Sequence, residues 1–384
     1  MKILYILKSL AALAGTERIM TAKINYLAKS GYDIMVVTYE QGKHPIVFDI
    51  DKKVVVKDIN CRFFTLMKYK YPQRIFEYLK MRKVFKARIQ KCVDDFNPDI
   101  LITTSYSLKI MDIIYKTRGK AKCILESHVH LLSELKGENI NTSNIFFKKI
   151  YSYYDKFTLR YAKRFDKIIT LTKADAQTWQ KYTKPCSVIP NFIENVNYEG
   201  TKHGTLKRII SVGRLNPQKG YDLLIQSCKN VLPKNPDWRL DIFGEGAEYD
   251  KLTNMINKYN LNKQIHIKQP TKHIFNEYAN SDFYVMSSRL EGLPMVLLEA
   301  MSCKLPCISF DCPHGPAEII NDGENGILVE NGNIDQLAQA IEDLINDEEK
   351  RMTMGQRAQI MVEKYSPDNI MKMWVELFNE LKNG

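Results

Sequence analysis

Two loops carry the side chains with the most definite chemistry. In Ser211-Val212-Gly213-Arg214-Leu215-Asn216-Pro217-Gln218-Lys219-Gly220 an apolar run ends in a loop bracketed by Arg214 and Lys219, and a helical pattern follows. The first amides of a helix have no intrahelical partner, so two cations and free N–H groups can face one anion there. A diphosphate fits that description. At an effective dielectric of about 20, each cation about 4 Å from a phosphate contributes on the order of 4 kcal/mol before desolvation, enough to stand in for a metal. The plainer alternative is a surface ion-pair loop.

The second loop is Ser288-Arg289-Leu290-Glu291-Gly292-Leu293-Pro294-Met295-Val296-Leu297-Leu298-Glu299-Ala300, again between an apolar run and a helical pattern. Pro294 suits the first helical turn, where its missing N–H costs nothing, and Gly292 lets a ligand approach the backbone. Glu291 falls in the loop and Glu299 in the helix's second turn. Two carboxylates therefore project near one strand end, where they can accept hydrogen bonds from sugar or ribose hydroxyls. The helix dipole explains either glutamate singly; it does not explain Ser-x-x-Glu-Gly followed by the second one.

Such loops need strands behind them. Residues 2–7 read as a buried strand, 16–30 as a helix with Met20, Ile24 and Leu27 on one face, and 32–38 as the next strand. Apolar runs at 100–103, 123–126, 167–171 and 187–190 alternate with helical patterns, which predicts a parallel α/β domain over 1–190. Aperiodic polar residues with Gly200 and Gly204 mark a linker over 191–206. Strand patterns at 208–212, 239–243, 265–268, 283–286, 307–310 and 327–329 then predict a second domain over 207–365. Two consecutive doubly wound domains imply a cleft, and ligands of open parallel sheets bind beyond the carboxyl ends of the strands. Neither half has G-x-G-x-x-G after its first strand, and no P-loop occurs, so no dinucleotide cofactor is indicated.

Glu291 and Glu299, separated by seven residues, resemble the EX7E motif of GT-B glycosyltransferases, and Gly213-Arg214 with Lys219-Gly220 resembles their donor-phosphate loop. Ala14-Gly15-Thr16-Glu17-Arg18 is similar to their amino-terminal Gly-Gly-x-Glu-Arg turn, with Ala14 in place of one glycine. Val188-Ile189-Pro190-Asn191 matches their pre-linker signature, with Phe192 where glycine is usual; Gly315-Pro316-Ala317-Glu318-Ile319 and Asp322-Gly323-Glu324-Asn325-Gly326 match their late loops. In this order the motifs resemble family four of the retaining glycosyltransferases over nearly the whole chain.

That resemblance implies a GT-B fold: two doubly wound Rossmann-like domains facing a cleft, 1–190 on the acceptor side and 207–365 binding the nucleotide-sugar. Residues 366–384 would be a closing helix that crosses back to the first domain. It implies that Arg214 and Lys219 neutralise the donor diphosphate, that Glu299 holds the ribose hydroxyls, and that Glu291 contacts the donor sugar and stabilises positive charge at its anomeric carbon. Gly15 would let the amino-terminal loop approach the diphosphate, and the amides after Gly292, through Leu293 and Pro294, would contact the sugar. Many relatives place a histidine near that sugar after a first-domain strand; His128 or His130 of Leu125-Glu126-Ser127-His128-Val129-His130 fills the role, or is an ordinary loop histidine. Retaining transfer without a metal or resident cofactor is implied, the nucleotide-sugar being a co-substrate. The expected reaction moves a hexose or N-acetylhexosamine from a UDP-sugar to a lipid-linked saccharide in envelope polysaccharide synthesis, capsule or lipopolysaccharide. The rivals are a nucleotide-sugar epimerase of the same fold and a catalytically silent subunit that binds nucleotide-sugar or lipid. Base contacts are expected from 268–272 and acceptor contacts from the first domain.

The 384 residues, 45% hydrophobic and 26% charged, suffice for two cores. No run approaches the roughly 18 apolar residues of a membrane span. The first fifteen residues imitate a signal peptide with Ala12-Leu13-Ala14 as cleavage site, but Lys8 interrupts the run and cleavage would remove the first strand. Eight cysteines without a C-x-x-C fit a reducing cytoplasm, and Cys303, Cys307 and Cys312 read as buried thiols rather than metal ligands. Asp49-Ile50-Asp51 mimics a paired-aspartate metal motif but reads as a strand-end surface feature.

Charge is uneven. The net charge is +12, yet residues 1–200 hold 35 Lys and Arg against 19 Asp and Glu, or +16, leaving −4 for the rest. Residues 62–91 have ten basic side chains and one acid, Glu77, interleaved with Phe63, Phe64, Tyr69, Tyr71, Phe76, Tyr78 and Phe85. A second segment, 146–167, has seven basic residues among aromatics. Docking on an anionic membrane at the cytoplasmic face is the preferred expectation, because headgroups attract basic side chains and rings settle at the interface. A solvated basic helix face whose aromatics belong to the core is the alternative; no nucleic-acid motif accompanies the charge, so nucleic acid is not an expected partner.

Overall fold

Strands buried on both faces read as continuous apolar runs, and the architecture follows from them. The computed structural model describes residues 1–12, 15–70, 72–128, 131, 145–183, 186–194 and 207–383. The chain divides into two units, Met1–Pro190 with Met371–Gly384, and Asn191–Ile370.

The first unit runs β1 (Lys2–Leu7), α1 (Gly15–Lys29), β2 (Asp33–Thr38), β3 (Val55–Asp58), α2 (Gln73–Phe96), β4 (Ile100–Thr104), α3 (Met111–Thr117), β5 (Lys122–Ser127), α4 (Ile145–Ala162), β6 (Lys167–Thr170), α5 (Lys173–Gln180) and β7 (Ser187–Val188). Its seven strands are parallel, in the order β3-β2-β1-β4-β5-β6-β7. Leu4, Ile6, Phe85, Leu101, Leu125 and Trp179 are in its core, and burying each contributes about 1.5–3 kcal/mol. α2 ends where Asn97 turns left-handed (φ 49°) and its N–H bonds Val93 O, the usual use of Asn at such a stop. Edge strand β3 has Val55 and Val56 exposed, and its apolar run, Val54-Val55-Val56, is only three residues long between lysines.

The second unit runs β8 (Lys207–Val212), α6 (Tyr221–Cys228), β9 (Trp238–Phe243), α7 (Tyr249–Lys258), β10 (Ile265–Lys268), α8 (Ile274–Ala279), β11 (Phe283–Met286), α9 (Met295–Ser302), β12 (Cys307–Asp311), α10 (Pro316–Ile319), β13 (Gly326–Glu330), α11 (Ile334–Asn346) and α12 (Glu348–Val362). Six parallel strands follow the order β10-β9-β8-β11-β12-β13. The last helix, α13 (Pro367–Asn383), begins in the second unit's residues and ends in the first unit's. Within the first unit its Trp374 and Phe378 are buried, and Phe378 meets Tyr32 edge to face at 6.0 Å.

Each strand order reverses direction once, between β1 and β4 and between β8 and β11. Loops leaving the carboxyl ends on either side of such a reversal splay apart and leave a crevice. Both loops singled out in the second half flank the β8/β11 reversal.

The structure departs from two expectations of the sequence. Asp49 and Asp51 do not end a strand: β2 stops at Thr38, and the pair lies in the following loop, where Asn25 donates to Asp49 O and accepts from Asp51 N, each at 2.8 Å. Pro294 is not inside the first turn of α9 but is its N-cap, with φ −75° and ψ 92°.

Candidate functional site

The loops after β8 and β11 are sewn together. Arg289 N donates to Gln218 O at 2.8 Å, Gln218 Nε2 to Leu290 O at 2.8 Å, and Ser287 Oγ to Lys219 O at 3.0 Å. The Arg289 guanidinium clamps Asp222 in the first turn of α6 at 2.8 and 2.9 Å and donates to Pro217 O at 2.7 Å. Burial pulls Asp222 up, but Arg289 outweighs it and holds the carboxyl below its usual range. At Gly220, φ is +64° and a Cβ would lie 2.0 Å from Ser287 O. Only glycine tolerates both that backbone and that approach.

This stitching brings Lys219 and Glu291 together. Lys219 Nζ sits 2.6 Å from Glu291 Oε1, with side chains 18% and 9% exposed. Arg214, on the same loop, is exposed, and its guanidinium makes no hydrogen bond or ion pair among the described residues. Glu299 is buried on α9 and accepts from Tyr278 OH at 3.3 Å. Burial and the Glu299 charge push the Tyr278 phenol well above its usual range, so it stays a donor. Gly292, half-buried, precedes buried Leu293 and Pro294, and the first amides of α9 open beside them. The late Gly-Pro-Ala-Glu loop closes over this point: Gly315 has φ +133°, and a Cβ there would strike Gly292 O at 1.9 Å. The arrangement offers one free guanidinium, one ammonium shared with a carboxylate, a second carboxylate and helix-end N–H groups. That set can bind a diphosphate and the hydroxyls around it.

Two contributors escaped the sequence reading. The loop after β9 braces the loop after β8, with Leu215 N donating to Glu245 O at 2.8 Å and Glu248 N to Leu215 O at 3.0 Å. Phe243-Gly244-Glu245-Gly246 directly after a strand was its signal. Tyr278 gave none, because it lies in a short helix remote in sequence from Glu299. At β10, Lys268 is engaged with Asp241 at 3.0 Å.

In the first unit, the crevice between β1 and β4 holds a cavity of about 140 Å³ lined by Lys8, Leu10, Thr16, Glu17 and Tyr106, among others. Gly15 stands beside these residues as the first residue of α1. A Cβ on it would meet no atom within 4 Å, so the protein's own packing does not require glycine there. Ala14 and His130 lie outside the described residues. His128 turns inward: its side chain is 2% exposed and Nε2 is 3.1 Å from Glu126 Oε2. Lys23 pairs with the same oxygen and packs under the Trp374 ring at 4.1 Å. Burial drags the Lys23 ammonium down against the pull of Glu126. Burial also opposes ionisation of Glu126, yet Lys23 and His128 together hold it below the ordinary carboxylate range. With Glu126 ionised, His128 Nε2 is the donor, and Nδ1 has no hydrogen-bond partner among the described residues. Asp175 braces the His128 segment, accepting from Leu131 N and Ser127 Oγ at 3.0 Å each, and burial raises its pKa to about 6.

A cavity of about 410 Å³ opens at the opposite, amino-terminal ends of β11 and β12, between Asp282, Lys304 and Arg351. None of the predicted groups reaches it, so the chemistry is placed by side chains and not by volume. Among the described residues no three His, Cys, Asp or Glu side chains converge as a metal site, and no helix is long and apolar enough to cross a membrane.

Two family models divide the chain between them: Glycosyltransferase Family 4 over residues 13–195, and Glycosyl transferases group 1 over 194–361. The chain belongs to this glycosyltransferase family, and its fold class is GT-B. An uncharacterized glycosyltransferase of Haemophilus influenzae is 28% identical over 97% of this chain and 98% of its own. The amylovoran biosynthesis glycosyltransferase AmsD of Erwinia amylovora is 27% identical over 98% of this chain and 99% of its own. Among solved structures, TarM superposes with a TM-score of 0.77 at 19% identity, covering 98% of each chain. Anabaena Alr3699/HepE in complex with UDP-glucose superposes with 0.72 at 18% identity, covering 99% of each. At these identities the superpositions speak for the fold alone.

Proposed function

We propose that this chain transfers a hexose or N-acetylhexosamine, with retention, from a UDP-sugar to a lipid-linked saccharide in envelope polysaccharide synthesis, as a peripheral enzyme on the cytoplasmic membrane face. What supports the donor assignment is the 2.6 Å pair of Lys219 and Glu291 at the sheet's reversal point, on a loop that also carries Arg214, whose guanidinium makes no hydrogen bond or ion pair among the described residues. A diphosphate entering there shares Lys219 with Glu291 and takes Arg214 for itself. Glu299, fixed by Tyr278, accepts from ribose hydroxyls. The bond from the anomeric carbon to the phosphate oxygen breaks, and the diphosphate leaves with charge that Arg214 and Lys219 neutralise without a metal. Glu291 faces the positive charge left on the sugar. The acceptor oxygen bonds the same face of that carbon, and its proton passes to the departing phosphate oxygen. AmsD, by its name, serves amylovoran biosynthesis, and HepE was crystallised with UDP-glucose; both agree with this choice of donor and pathway.

A panel of nucleotide-sugars incubated with the purified chain in the presence of a chelator, with mass detection of released nucleotide, tests the reading. Release of UDP from a UDP-sugar, lost in Glu291→Ala and in Arg214→Ala, is the expected result. No release from any donor, or undiminished release in both variants, overturns it.

A further inference from the structure

Five large apolar side chains of the first unit stand in solvent close together in sequence. Phe64, Met67, Ile75, Phe76 and Leu79 are 52%, 68%, 52%, 67% and 53% exposed. They are not the loose end of a poorly packed segment. In the 3-10 turn Phe63–Lys68, Leu66 is buried and Phe63 packs edge to face on Tyr39, Tyr78 and Phe85 at 5.8–6.3 Å. Phe64 and Met67 alternate with them and point out. On α2 the same division holds, with Phe85, Ile89 and Cys92 buried while Ile75, Phe76 and Leu79 are exposed near its start. The interleaved aromatics of this segment therefore split, some into the core and some onto the surface.

Cations follow on the same helix. Lys80 and Lys83 come four and seven residues after Phe76, on one helical face, and the rise from Phe76 to Lys83 is about 10 Å. Among the described residues the ammonium groups of Lys70, Lys80, Lys83 and Lys86 make no hydrogen bond or ion pair. An apolar tip with free cations about 6 and 10 Å behind Phe76, at Lys80 and Lys83, matches the step from the acyl boundary to the headgroup layer. A second copy is a poor occupant, because pairing this surface with itself sets lysines against lysines. A nucleic-acid strand would meet the lysines but leave Ile75, Leu79 and Met67 in water.

We propose that this corner is a bilayer-insertion surface: Phe64, Met67, Ile75, Phe76 and Leu79 enter the interface of a membrane, and Lys70, Lys80, Lys83 and Lys86 contact its anionic headgroups. The inference deepens the functional reading by naming the surface that brings the enzyme to a lipid-linked acceptor; it rests on that reading only for the acceptor.

The full chain is sedimented with vesicles of phosphatidylcholine alone and with added phosphatidylglycerol, at low and high salt. Binding to the anionic vesicles that weakens with salt is expected. The triple variant Lys80→Glu, Lys83→Glu, Lys86→Glu should bind at least 100-fold more weakly, since each lysine is worth roughly fivefold. Phe76→Ser with Leu79→Ser should lose about tenfold or more. Both variants should release nucleotide from the donor as the parent does, which shows that they fold. Equal binding by parent and triple variant, or no sedimentation of the parent, overturns the proposal. So does self-association of the parent that Phe76→Ser with Leu79→Ser abolishes, which would give the surface to a second copy. A parent that sediments but releases no nucleotide removes the glycosyltransferase reading and leaves this one standing.

Discussion

Two glycines separate the demand of the backbone from the demand of the site. Gly220 and Gly323 both have left-handed φ, +64° and +76°. An alanine at Gly323 meets nothing within 4 Å, whereas at Gly220 its Cβ lies 2.0 Å from Ser287 O. Gly323→Ala should therefore lose only the left-handed penalty of about 1 kcal/mol. Gly220→Ala adds a displacement of more than about 1 Å between two stitched backbones, on the order of 1–3 kcal/mol further. Native-state hydrogen exchange read on peptides covering β8 and β11 reports the second unit separately. Isothermal titration with UDP reports whether Lys219, next to Gly220, has lost its place beside Glu291. We expect Gly220→Ala to be the more destabilising by at least about 1 kcal/mol and to weaken UDP tenfold or more, with Gly323→Ala binding UDP as the parent does. Equal stabilities and equal affinities in the two variants would refute the stitching of the loops as the device that builds the site.

Other expectations follow from named contacts. Asp175 has a folded pKa near 6, above its ordinary 3.8, so its protonated form is the one folding favours. Stability relative to Asp175→Asn should fall as pH rises from about 4 to about 6, by roughly 3 kcal/mol at most, and then level off; parallel urea midpoints across that window would contradict it. Lys23→Met leaves Glu126 buried without its cation and should cost about 3–5 kcal/mol, while the double variant with Glu126→Gln should recover much of the loss. Additive urea stabilities in that cycle would show that the two do not act as a pair. Arg289→Lys cannot keep both bonds to Asp222 and the bond to Pro217 O, so UDP affinity should drop despite the retained charge; an unchanged titration would show that the clamp is dispensable.

Much of the fold was legible because parallel strands buried on both faces announce themselves as apolar runs: ILYIL, ILITT and RIISV mark β1, β4 and β8 within a residue or two. β3 was not legible, since Val54-Val55-Val56 between lysines is too short a run to set an edge strand apart from a loop. The loop residues of the candidate site were legible because they lie in two continuous stretches, each directly after a strand. What the sequence did not carry was the partnership between elements far apart in the chain. Tyr278 under Glu299, Glu245 against Leu215, and Lys23 with Trp374 behind Glu126 each join segments whose proximity only the folded sheet creates. His128 shows the same limit. Its place after β5 was readable, but its inward turn depends on a lysine in the middle of an apolar helix face, which a pattern of Met20, Ile24 and Leu27 does not reveal.

The central claim is that Arg214 and Lys219 grip a diphosphate. Titration of UDP and of uridine into the purified chain, with chelator present, tests it most directly when repeated on Arg214→Ala and Lys219→Ala. UDP should bind the parent far more tightly than uridine, and each substitution should weaken UDP by about 10- to 100-fold while leaving uridine unchanged. Equal UDP affinity in the parent and both variants would contradict the claim.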